Sequence, residues 1–215
     1  MQRRHHVFVA SVVMAAAFLY AIVRYHIFKG VPWDQFPLYI SNKAIALSAV
    51  ILIVISYTLG SLATFWPHLF ERTLYARKFF GLTGFGLASL HSLISLVIFN
   101  AAYYPKFFET TGKLNLTGEL SLLFGVLSFA VFSLVAITSV PSIAESLGHE
   151  RWHKFQHLGY WGVAATAGHV FVMGFSGWLD TASWPGKLLP ISLIAFTLAL
   201  AALFLHGIAL LTRKS

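Results

Sequence analysis

The chain has 215 residues, 58% of them hydrophobic and only 10% charged, with a mean hydropathy of +0.75. A chain of this size cannot solvate that much apolar surface, so the composition excludes a soluble domain and leaves a single membrane bundle. The formal charge of +8 is scattered over loop ends and gives no nucleic-acid face, and zero cysteines exclude disulfides, thiolate-held clusters and a c-type haem attachment.

The first apolar run, residues 7–27, has bilayer length and continues past Ala15-Ala16-Ala17, where a signal peptide would be cleaved. It is expected to be a retained helix, with Arg24 and His26 at its far end reaching the interface. The linker 29–43 carries two prolines and is expected to be loop. Helix 2 is expected over 44–65, closed by Trp66-Pro67, and helix 3 over 79–104, stopped by Pro105. A polar loop leads to helix 4 over 119–140, stopped by Pro141, and an amphipathic connector leads to helix 5 over 155–178. A turn at 180–186 then leads to helix 6 over 188–211, before the basic tail Arg213-Lys214. Trp and Tyr gather at these ends as an aromatic belt would. The expected fold is an all-α, six-transmembrane-helix bundle forming one domain, 1–215. Nine bases on the side of the termini against six on the other place both termini on the cytoplasmic side.

Ten histidines stand out against this background, and depth separates them. Helices 3 and 5 run in the same direction; His91 lies 13 residues beyond Lys78 and His169 15 beyond Lys154. At about 1.5 Å per residue the two differ in depth by only a few ångströms. Ionisable side chains at membrane depth are costly and usually functional. Small residues precede both at the same offsets: Gly81, Gly84 and Ala88 before His91, and Gly159, Gly162 and Thr166 before His169. Each set spans about 80° of its helix circumference and makes a shallow trough headed by an imidazole. Such relief suits a planar macrocycle ligated from both sides; equally, small residues let membrane helices pack closely. Two axial histidines on a haem iron leave no open position, which suits electron transfer.

His157, 12 residues before His169, is available to a second haem or to the headgroup region. His5, His6, His26, His68, His149 and His153 read as solvated surface, and His206 as packed or interfacial. No HExxH or carboxylate cluster supports zinc, and no carboxylate sits mid-helix to carry protons. The pairs Arg77-Lys78 and Arg151/Lys154 flank the histidine helices and could neutralise haem propionates, a flavin phosphate or lipid headgroups.

The segment from Arg77 to His91, together with Arg151, Trp152, His157 and His169, resembles the ferric reductase-like transmembrane domain superfamily. Within it, the layout looks most like the stand-alone haem b membrane subunit of bacterial periplasmic methionine sulfoxide reductase. The resemblance covers roughly 44–212. It implies a haem b protein with ligands on helices 3 and 5, in a bacterial inner membrane, passing electrons to a redox partner on the outer side. Where the oxidases of the superfamily carry a second helix-3 histidine, this chain has Pro105. With no flavin and nicotinamide domain after helix 6, the expected donor is quinol or a separate flavoprotein, with flavin or quinone as further cofactors. Two rivals are a non-redox transporter or assembly factor, and a self-sufficient ferric or metal reductase.

Overall fold

The computed structural model describes residues 2–212. The side chain of Arg3 and the tail Arg213-Lys214, counted above among the inner-side bases, lie outside the described residues. Six helices are long and apolar enough to cross a membrane: α1 (Gln2–Ala21), α2 (Ser41–Phe65), α3 (Ala76–Ile98), α4 (Leu116–Ile137), α5 (Pro141–Leu179) and α6 (Ile191–Thr212). Among the described residues there is no β-sheet, only an isolated bridge between Phe108 and Leu114. In hydrocarbon a helix satisfies its own backbone, which is why apolar runs of this length take that form.

Several boundaries differ from expectation, each for a local reason. The first span extends beyond α1 as a π-helical stretch, Ile22–Phe28, and α2 is preceded by another, Phe36–Ile40, so the second half of the expected linker is helical. Helix α3 ends at Ile98 rather than near Tyr104. The Asn100 side chain accepts from the backbone N–H groups of Ala102 and Tyr103, at 3.0 and 3.3 Å, and turns the chain. Pro141 starts a helix instead of only ending one, as a proline in the first turn can. The connector is therefore helical and joins α5 across a break at Gly148, whose φ of 71° suits glycine.

Arg24 is turned into the protein. It is only 6% exposed, and its guanidinium donates to the Leu188 carbonyl, while Tyr20 donates to Leu189 O at 2.6 Å. These carbonyls precede α6, outside its hydrogen-bond ladder, and the first span supplies their donors.

Helix α2 is the central element, packing on α1, α3 and α6; α4 pairs with α5, and α5 also packs on α6. Ile53, Tyr57, Phe132, Val163, Ala167 and Ala199 join four helices in one core cluster. Outward faces stay apolar, as at Leu93, Leu96, Val97 and Phe204.

Candidate functional site

Two antiparallel hairpins, α2–α3 and α4–α5, place His91 and His169 in the same way. In the first, α3 presents Arg77, Gly81, Gly84 and His91 at helical spacing to α2. Ser56 donates to the Arg77 carbonyl at 2.7 Å, and Arg77 Nε returns a bond to Ser56 O at 3.1 Å. Near the start of α2, fully buried Asn42 meets His91, with Asn42 Oδ1 2.7 Å from His91 Nδ1. Asn42 Nδ2 donates to Ser95 Oγ at 3.0 Å, which turns the amide oxygen towards the ring.

In the second hairpin, Gln156 reaches the Val135 carbonyl and the hydroxyls of Thr138 and Ser139. Thr166 meets Ser128 at 2.7 Å, and His169 Nδ1 lies 2.7 Å from the carbonyl of Ser121. A carbonyl only accepts, so Nδ1 of His169 carries the proton; the Asn42 oxygen imposes the same tautomer on His91. Each ring is left with its Nε2 lone pair for an electrophile, the orientation that protein-held imidazole ligands to metals need. Gly125 makes room for the second ring, since an added Cβ would sit 3.1 Å from His169 Nδ1. His169 lies within electrostatic range of His91, and Lys43 lies within range of both. Helices α3 and α5 do not pack extensively along one another; α2 and α4 support them.

The small residues of the two troughs have protein neighbours. A Cβ at Gly81 would sit 3.0 Å from Ser56 Oγ, and one at Gly84 2.8 Å from Ile53 Cγ1 and 3.0 Å from the Ala49 carbonyl. A Cβ at Gly159 would run into the Tyr57 hydroxyl, and one at Gly162 would sit 2.9 Å from the Phe132 ring. Thr166 is engaged by Ser128, and Ala88 is half-buried, its carbonyl accepting from Ser92. At the glycines, the repeated pattern admits a neighbouring helix, α2 for α3, and α2 and α4 for α5.

His157 lies elsewhere, in the opposite half of the bundle. Its ring stacks on His153 at 4.9 Å between centroids and lies 5.8 Å from His206, which stacks on Tyr160. These residues border a cavity of about 900 Å³ that Arg77, Lys78 and Trp152 also line. Two polar atoms there are buried without a hydrogen-bond partner, Ser61 Oγ and Trp152 Nε1. The guanidinium of Arg77 packs over Gly60, whereas Arg151 is exposed. Among the described residues no trio of His, Asp or Glu gathers at metal-holding distance. What the fold does supply is one pair of oriented imidazoles, His91 and His169.

Sequence reasoning did not single out Asn42, Ser95, Ser121 or Gly125, the residues that fix the two rings. The one signal in the sequence is a polar Asn at the edge of an apolar run, within the expected linker 29–43.

Fold and site together define an all-helical, multi-pass membrane protein with a pair of oriented histidines in one half of the bundle. Residues 43–167 match the family described as ferric reductase like transmembrane component, and the chain belongs to that family. It is similar to Metalloreductase STEAP2 of Homo sapiens, 27% identical over 170 residues that cover 66% of this chain and 34% of that protein. The Mus musculus Metalloreductase STEAP2 matches to the same extent. The chain thus spans about a third of the length of the curated relatives it matches. Both are mammalian, so they lend no support to the bacterial membrane expected from the sequence.

Proposed function

We propose that the protein is a transmembrane haem b electron-transfer subunit, relaying electrons from quinol or a flavoprotein to an acceptor on the outer side. The observation that carries this is the tie on each Nδ1, by Asn42 and by Ser121, which leaves the Nε2 lone pairs of two rings that lie within electrostatic range of each other. A haem held there would supply one-electron chemistry, and its two axial imidazoles would leave no site for a substrate on the iron. The chain's part is to orient the rings, exclude water and set the electrostatics. Asn42 and Ser121 hold the tautomers, Ser95 backs Asn42, and the packed hairpins keep the rings in place.

The cavity beside His157 is the proposed donor side. It is lined by aromatic and basic residues, and its two unpaired donors, Ser61 Oγ and Trp152 Nε1, suit the carbonyl oxygens of a quinone or a flavin. The small excess of Lys and Arg on this side favours a cytoplasmic location for it and for both termini, and the resemblance of the Arg77–His91 segment favours a bacterial plasma membrane. His157 belongs to this donor side rather than to the His91–His169 pair.

A second reading comes from the relatives' name: the acceptor would be a metal ion or its chelate, and the protein a metalloreductase in its own right. Reduction of the purified protein by a soluble quinol, followed by oxidation with ferric chelates, separates the two. Haem that quinol reduces but ferric chelates leave reduced marks a subunit awaiting a protein acceptor. Rapid oxidation by the chelates marks the metalloreductase, and a preparation without haem removes both.

A further inference from the structure

The outer end of the bundle holds a cluster of cations with no carboxylate among them. Lys29 lies over the rings of Tyr25 and Tyr39, at 5.8 and 5.6 Å from their centroids, and Lys43 over Tyr39 and Tyr104, at 5.3 and 4.8 Å. Lys106 lies over Phe107 at 4.9 Å, and its amine donates to the carbonyl of Met173. Among the described residues the one ion pair is Lys154–Glu150, on the opposite side of the bundle, so none of these lysines has a carboxylate partner. Lost hydration around its amine, then repulsion from Lys43 and Lys29, hold Lys106 down to about 8. Gathering like charges without a counter-ion is costly, and such an arrangement is stable when an anion completes it.

The cluster adjoins the histidine pair. Lys43 follows Asn42, the residue that holds His91, and lies within electrostatic range of both imidazoles. Met173, whose carbonyl accepts from Lys106, is one helical turn beyond His169. The bases suggested by sequence are much farther away. Arg77 is 14 residues before His91 and Arg151 18 before His169, about 21 and 27 Å along their helices. Arg77 is also held by Ser56.

We infer that Lys43 and Lys106 hold the two carboxylates of the porphyrin ligated by His91 and His169, so that its carboxylate edge faces the outer side. Lys29 adds positive potential behind them. The inference rests on the haem reading above and assigns the cofactor's orientation, which that reading leaves open.

The test uses the full chain purified in detergent from haem-depleted cells, titrated with iron protoporphyrin IX and with its dimethyl ester, which lacks the charges. Wild type should bind the ester about tenfold or more weaker, as expected for losing charge-assisted hydrogen bonds. The Lys43→Gln/Lys106→Gln double variant should bind the two alike, and Lys113→Gln, on the same side but outside the cluster, should discriminate as wild type does. In the haem-loaded protein, Lys43→Gln should lower the midpoint potential and shift the carboxylate bands of the redox infrared difference spectrum. Equal affinity of wild type for haem and ester, or unmoved carboxylate bands in Lys43→Gln, would overturn the inference while leaving the haem reading intact. Failure of wild type to bind either compound, and to carry haem from sufficient cells, would instead sink the haem reading.

Discussion

Asn42 and His91 are joined at 2.7 Å although 49 residues separate them, and Asn42 is fully buried to make that contact. A side chain outside the proposed ligand pair thus decides which nitrogen of His91 keeps its lone pair. Outer-shell partners of this kind are worth about 10–100-fold in metal affinity. Asn42→Ala should weaken haem binding by that order, and Asn42→Asp, which makes the ring more basic, should retain haem at a lower midpoint potential. Unchanged affinity and potential in both variants would mean that the contact is only packing.

The glycines give a prediction about stability. At Gly84 an added side chain meets the Ala49 carbonyl and the Ile53 backbone nitrogen, both at 3.0 Å, and neither can move without shifting α2. Gly84→Leu should cost about 1–3 kcal/mol or more through overpacking. The thermal midpoint in detergent should fall with or without haem. Gly207→Leu, where nothing lies within 4 Å, should be neutral. If Gly84→Leu left the haem-free protein as stable as wild type and lost only haem, the glycine would be relief for the macrocycle rather than for a helix.

Lys106 gives a pH dependence with a definite sign. Its pKa in the folded protein is lowered to about 8 from 10.5, first by burial and then by Lys43 and Lys29. Between those values the unfolded chain binds the proton and the folded chain does not, so stability without haem rises with pH over that window. Below about 8 the destabilisation is fully present. Lys106→Gln should flatten the rise and stabilise the haem-free protein at pH 7. A thermal midpoint that falls from pH 8 to 10 in wild type, or rises equally in Lys106→Gln, would contradict this.

Much of the architecture was legible because hydrocarbon enforces simple rules: long apolar runs must be helices, and their number follows from counting. That His91 and His169 come within electrostatic range of each other was foreshadowed by their similar offsets from Lys78 and Lys154. What faces a helix was not. The interval pattern before each histidine is real, but spacing does not say whether Ile53 or a macrocycle fills the space over Gly84. Nor could it foretell that Asn42 lies inside a helix and reaches a ring 49 residues away. The helical connector was missed because Pro141 can start a helix as readily as stop one, and Gly148 breaks the run that follows.

The most direct measurement on the histidine pair is the optical and low-temperature electron paramagnetic resonance spectrum of the purified protein, wild type against His91→Ala, His169→Ala and His157→Ala. Wild type should show one low-spin, bis-imidazole haem, lost in either of the first two variants and retained in His157→Ala. A folded, colourless wild type, or haem that survives His169→Ala but not His157→Ala, would contradict this pairing.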